Sequence, residues 1–182
     1  EEVCSQAARG GSIYVAAVRD GEQWALSVAA DTGRAVSYLV PGPASAGAQG
    51  GLFDAEASEE FAAPLARVLA DPDVAVCGCR LKELAHLLAE GGHELANVVF
   101  DAEIASYLIS PHCREHSIGV IAAQYLGWAM PAAGGAEVSG MAGWRAAGCT
   151  EALATAELQG RLRRELRNQG MEELFDRVEM PL

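Results

Sequence analysis

The sequence predicts an α/β fold, a mixed five-stranded sheet with flanking helices. Three observations carry this. Three short β-forming runs stand on two tight turns within the first forty residues. The pattern then changes to alternating helix and strand, which demands a partly parallel sheet covered on its faces. Finally, 51% of the 182 residues are hydrophobic and 21% charged, with a mean hydropathy of +0.11. That is enough apolar material for one buried core and too much for a disordered chain.

The elements follow in order. Residues 12–18 (SIYVAAV) and 24–30 (WALSVAA) are strands, joined at Arg19-Asp20-Gly21-Glu22 by a hairpin turn whose signal is Asp-Gly. Asp31-Thr32-Gly33 is a second tight turn, and residues 35–40 (AVSYLV) form the third strand. Residues 41–51 are Pro, Gly, Ala, Ser and Gln, the composition of a loop. Residues 57–70 place Phe61, Leu65, Val68 and Leu69 on one helical face, and Pro72 closes that helix. A short buried strand is expected over 73–78. A helix over 81–90 follows, carrying Leu81, Leu84, Leu87 and Leu88 and stopped by Gly91-Gly92. Residues 97–100 read as the fifth strand. Asp101 is placed to cap a helix bearing Ile104, Tyr107 and Leu108, which Pro111 breaks. Residues 117–126 are helical, 131–143 lack periodicity and read as a loop, and a long helix runs from about Thr150 to Asn168. A last helical turn or two carries Leu174, Phe175 and Val178. No internal repeat is present.

Composition excludes several functions. The formal charge of -12 and pI of 4.7 repel phosphate backbones, which argues against a free-standing high-affinity nucleic-acid binder but leaves room for a local basic patch. No apolar run approaches the ~18 residues of a membrane span. Cys4, Cys77, Cys79, Cys113 and Cys149 are odd in number and irregular in spacing, so free thiols in a reducing cytoplasm are expected. The sequence opens without a Met, a basic segment or an apolar leader and stops abruptly at Met180-Pro181-Leu182. Residues 1–182 are therefore read as a single domain cut from a longer polypeptide.

Three segments carry a resemblance. They are Gly78-Cys79-Arg80-Leu81-Lys82, the run from Phe100-Asp101 to Tyr107-Leu108-Ile109 with Pro111 beyond it, and the ending Val178-Glu179-Met180-Pro181-Leu182. In this order they resemble G-x-N-L-K, F-D-T-x-x-x-x-Y-L-L and I-E-x-P-L of the 3'-5' exonuclease domain of bacterial DNA polymerase I (family A). The similarity spans about residues 12–182. It implies the ribonuclease H-like fold of proofreading exonucleases, whose β-β-β-α-β-α-β-α order agrees with the element order above.

In active members of that family, four carboxylates hold two divalent metals. Hard cations such as Mg²⁺ take several oxygen ligands, and two ions ~3.5–4 Å apart clamp the attacking and leaving oxygens. The resemblance implies that the D-x-E of the first strand falls on Ala17 and Arg19, and the helix Asp on Leu84. The Asn of G-x-N-L-K falls on Arg80. Counting back without gaps from Glu179-Met180-Pro181-Leu182, the fourth Asp falls on Thr150 and the water-orienting Tyr on Ala146. A length change in the 131–143 loop would make Glu151 the nearest acid instead. With these substitutions the metal site is expected to be lost, leaving no metal in this domain and Mg²⁺ to a parent polymerase.

Other acid and metal-like patterns have plainer readings. Asp20-x-Glu22 lies in the hairpin turn, and Asp101-x-Glu103 suits a helix cap with a first-turn acid. His112-Cys113-x-x-His116 lacks a second ligand pair for zinc and fits a solvated loop. Cys77-x-Cys79 is not a metal or redox spacing. His86 and His93 have no partner pattern, and Trp24, Trp128 and Trp144 are too scattered for a base-stacking platform. Arg161, Arg163, Arg164 and Arg167 concentrate positive charge on the last long helix. They form either a solvated face paired with Glu157 and Glu165, or a contact with DNA or a polymerase domain.

The expected function is thus a catalytically inactive exonuclease-like domain that supports DNA-directed DNA synthesis in replication and repair. Its expected partners are the polymerase domain of the same chain and, through it, primer-template DNA in a bacterial cytoplasm. Two alternatives are a nuclease with relocated ligands such as Asp20, Glu22 and Asp101, and a protein-interaction module using the acidic surface.

Overall fold

The computed structural model describes residues 2–20, 23–41, 59–90, 92–130 and 140–181. Helix α1 (Glu2–Gly10) leads into strands β1 (Ser12–Asp20), β2 (Gln23–Ala29) and β3 (Ala35–Pro41). Helix α2 (Glu59–Leu69), β4 (Ala75–Gly78), α3 (Leu81–Glu90), β5 (Val98–Asp101), α4 (Ala102–Ile109) and α5 (Ile118–Leu126) follow. The long α6 (Gly140–Asn168) and short α7 (Glu172–Leu174) end in a π-helical turn over Phe175–Glu179. The five strands form one sheet in the order β3-β2-β1-β4-β5, with β1 antiparallel to β2 and parallel to β4. The expected mixed sheet with flanking helices is therefore present.

Period-two alternation along β1 sorts its side chains to two layers. Ile13 and Val15 join Val3, Leu65, Leu69, Leu84 and Leu88 in a core beneath α1, α2 and α3. On the opposite face, Cys77 and Phe100 pack with residues of α4 and α5 and with Leu158, Leu162 and Leu166 of α6. The leucine spacing of four makes one stripe of α6 apolar, and that stripe lies on the sheet.

Two differences from the sequence reading concern helices. The α1 helix was not anticipated; Val3, Cys4 and Ala7 are its buried face. The long helix starts at Gly140, ten residues before Thr150, so residues 140–143 are helical and not part of a loop. Gly140, Gly143 and Gly148 each lower helix propensity by about 1 kcal/mol, and packing on the sheet overrides this. The expected loops at 41–51 and 131–139 and the hairpin tip at 21–22 lie outside the described residues, apart from Pro41 in β3.

The C-terminal turn is held by Arg163. Its guanidinium donates to the Val99 carbonyl and to Asp176, each at 2.7 Å, and stands 5.8 Å and 5.2 Å from the ring centres of Phe100 and Phe175. Those two rings are tilted neighbours, 5.8 Å apart. One cation thus ties β5, α6 and the π turn together, where a ring–cation contact is worth roughly 1 kcal/mol.

Asp101, 2% exposed, holds two helix starts. One carboxylate oxygen accepts from Leu81 N at 2.8 Å, and the other from Glu103 N at 2.9 Å and Ile104 N at 3.4 Å. Asp101→Ala leaves these buried donors without their acceptor, and a loss of about 3 kcal/mol is expected. Urea unfolding checks this; a loss below 1 kcal/mol would show that the two helices do not depend on this carboxylate.

Candidate functional site

The site forms where β4 and β5 end beside the middle of β1 and where α3 and α4 begin. Strand β4 can pass β1 here because residue 78 is Gly. A Cβ on it would lie 2.4 Å from Leu81 Cδ2 and 2.8 Å from the Val15 carbonyl oxygen. Arg80 then turns the chain with φ 58°, in the left-handed region that costs a side-chain-bearing residue roughly 1–2 kcal/mol. Asp101 closes the turn through Leu81 N. Burial pushes the Asp101 carboxyl up, although the N–H groups of Leu81, Ile104, Glu103 and Arg80 pull it down.

The opposite wall is α6. Tyr14 donates its hydroxyl to Gln159 Oε1 at 2.9 Å, and Gln159 Nε2 meets Cys77 Sγ at 3.3 Å. Ala16 packs with Ala29 and Ala152, and Val18 lies beneath Gly148. Tyr14, Ala16 and Val18 are therefore the β1 residues that face α6. Glu151, on the inner stripe of α6, is 8% exposed. Burial pushes its carboxyl up to about 7, with the Arg80 guanidinium pulling it back. The Cys79 thiol is pushed well up by burial and then by the charges of Asp101, Glu103 and Glu151, with Arg80 opposing. Cys79 marks the point where these groups approach one another.

The positions expected from the sequence are not brought to one point. Ala17 packs against the layer of α1, α2 and α3, the layer in which Leu84 is buried. Thr150 and Ala146 are on α6, across the sheet, and the Thr150 hydroxyl donates to the Ala146 carbonyl at 2.8 Å. Arg19 pairs with Trp24 in the β1–β2 ladder, and its side chain lies outside the described residues. Counting one residue differently along a strand moves every side chain to the other face. On the α6 side of β1, Ala16 meets Ala152 and Val18 meets Gly148, while Glu151 and Ala147 are buried on α6. The signal for Glu151 was available, since it stands seven residues, two helical turns, before Leu158.

The remaining candidates have local roles. Arg161 donates to the Tyr125 carbonyl at 2.9 Å, Arg163 forms the clamp above, and Arg167 pairs with Glu172 at 3.2 Å. Arg164 is exposed and makes no hydrogen bond or ion pair among the described residues. His116 Nδ1 and Ser106 Oγ are 2.9 Å apart, an anchor for the segment between α4 and α5. All five cysteines are free thiols. Among the described residues, no three His, Cys, Asp or Glu side chains are grouped to hold a metal ion, and no helix is long and apolar enough to cross a membrane.

Comparison with solved structures identifies the fold. The chain is similar to the POL domain of Pol1 from M. smegmatis in complex with DNA primer-template and dNTP, with TM-score 0.71 and 23% identity, covering 99% of this chain. It spans 29% of that polymerase chain's length. It is also similar to Brucella melitensis NrnC bound to pGG, with TM-score 0.65 and 18% identity, over 90% of this chain and 77% of the other. The catalytic core of RRP6 from Trypanosoma brucei, mutant C496S, gives TM-score 0.67 and 13% identity, over 98% of this chain and 48% of the other. No protein-family model matches the chain, and no curated protein does. The fold is the ribonuclease H-like fold of 3'-5' exonucleases. The divalent metals which that fold implies need several free carboxylates at one place; among the described residues no such group is present, Ala16 and Val18 offer no oxygen, and Asp101 is already bonded to backbone N–H groups.

Two expectations follow. The folded Glu151 carboxyl, at about 7, still holds a proton where the unfolded one, near 4.5, has lost it. Its contribution to stability is therefore full below about pH 4.5 and is lost as pH rises to 7, amounting to about 3 kcal/mol. The charged group acting on it is Arg80, and the Cys79 thiol lies within its reach. Glu151→Gln should flatten the stability profile between pH 5 and 8 in urea titrations, and a profile parallel to that of the unaltered chain would refute this. Separately, Arg80→Asn keeps a residue tolerant of the left-handed backbone. At pH 5.5 it is expected to raise stability by about 0.5–1 kcal/mol, whereas a loss would mean that the guanidinium contributes more than its backbone costs.

Proposed function

We propose that this chain is a catalytically inactive 3'-5' exonuclease-like domain of a DNA polymerase I, supporting DNA synthesis in replication and repair by packing against the polymerase domain of the same polypeptide. One observation carries the reading. Where α6 faces β1, Ala152 packs on Ala16 and Gly148 on Val18, and Glu151 is the one buried acid of α6 among the described residues. Hydrolysis of a phosphodiester by two metals needs ligands that hold both ions and a water in line. An alanine and a valine supply no oxygen ligand. The similarity to a polymerase structure over 99% of this chain supports the choice of parent.

Relocated acids do not rescue a nuclease. Asp101 already accepts from the backbone of α3 and α4, and releasing it would free both helix starts. Primer-template DNA is then a partner of the whole enzyme, Mg²⁺ belongs to the polymerase domain, and the enzyme works in the bacterial cytoplasm. Of the five arginines on α6, only the exposed Arg164 makes no hydrogen bond or ion pair among the described residues, so it is the one left for a contact with DNA or the neighbouring domain.

The test is incubation of the chain with a 5'-labelled single-stranded oligonucleotide in Mg²⁺ and in Mn²⁺, with an EDTA control. No shortening is expected, and the melting temperature should not move at millimolar Mg²⁺, since no cluster of acids is relieved by the ion. Metal-dependent shortening from the 3' end that survives repurification would overturn the proposal.

A further inference from the structure

Two contacts decide what has become of the space between α6 and the sheet. A Cβ on Gly148 would lie 2.3 Å from Ser27 Oγ and 3.1 Å from Ser27 Cβ, with Val18 Cγ2 at 3.6 Å. One turn further along, Ala152 is fully buried against Ala16 and Ala29. Ser27 is the cross-strand partner of Ala16, so both contacts fall on one patch of β1 and β2. The helix rests there on glycine and alanine, at a separation where a methyl group at position 148 would have to turn the Ser27 hydroxyl aside and would still press on Ser27 Cβ. Two divalent ions ~3.5–4 Å apart, each with oxygens at ~2.0–2.1 Å, need a far wider gap.

We infer that the cleft which holds metal in active relatives of this fold is closed here and serves as a helix–sheet joint. Restoring carboxylates on β1 would therefore not restore metal binding. The inference rests on the reading of the preceding section and extends it. Missing ligands are one loss, and missing volume is a second, independent one. Aspartate at position 16 meets Ala152, and glutamate at position 18 meets the Gly148 turn, before either can share an ion with Glu151. Dense interiors do not open for extra atoms without displacement of the packed element.

The experiment compares the unaltered chain, Ala16→Asp/Val18→Glu and Gly148→Ala, using Mn²⁺ alone and the labelled oligonucleotide. If the unaltered chain shortens the oligonucleotide, the inactive-domain reading itself falls. If it is silent while the folded double variant shortens it, or gains more than about 5 °C in melting temperature at millimolar Mn²⁺, the joint is refuted and the reading of inactivity stands. A folded double variant that stays silent, with no Mn²⁺ shift, is the expected result. Should the double variant fail to fold, Gly148→Ala decides. A fall of about 5 °C or more supports the closed joint, and an unchanged melting temperature overturns it.

Discussion

The arrangement depends on one buried carboxylate. Asp101 ends β5, and its two oxygens take backbone N–H groups from the first turns of α3 and α4. Both helices are thereby aimed from the same point at the end of the sheet. The burial of this carboxyl raises its pKa, which means that the folded state bears a desolvation penalty to keep it there. The donors around it offset that penalty, and the alternative is a set of orphaned helix-start donors in the core. The side chain is fully committed to architecture, which is why an acid at the centre of an exonuclease-like fold is not by itself a sign of chemistry.

The second constraint is the seat of α6. Its lower half inserts Leu158, Leu162 and Leu166 between the sheet and α4 and α5, while its upper half lies on small residues. A helix anchored by three leucines and by the Arg163 clamp has little freedom to tilt away from β1. Close approach at Gly148 and Ala152 is then a consequence of residue size on both sides. Had residues 16 and 18 been long acids, repulsion and volume would have held the helix off, with a metal needed to bring the pieces together.

How much of this was legible in the sequence can be argued from particular residues. The short β-forming runs 12–18 and 35–40 and the Asp-Gly and Asp31-Thr32-Gly33 turns disclose the meander, because strand propensity and turn chemistry are local. Asp101 as a cap was legible for the same reason; its second partner, Leu81 N twenty residues earlier, was not, since only the fold brings the two together. The α1 helix was hidden by its brevity: nine residues are marginal alone, and Val3, Cys4 and Ala7 settle it only against the core. That Ala16 and Val18, and not Ala17, face α6 was not legible, because apolar strands buried on both faces carry no mark of which face looks where.

Conformational and packing demands fall on different residues of this fold. Gly78, the left-handed residue 80 and Asp101 are conformational requirements, and each would be felt throughout the core if changed. Arg80 shows the distinction well. Its backbone conformation is held by the turn even though an arginine suits it poorly, so the local geometry outlasts the side chain best fitted to it. Ala16, Val18 and Ala152 face no such backbone demand, and each adds buried apolar surface at about 25 cal/mol per Å². Stability and catalysis pull these positions in opposite directions. At this joint packing favours small apolar side chains, and Glu151, the buried acid of the same helix, is held there with its carboxyl pushed up by burial.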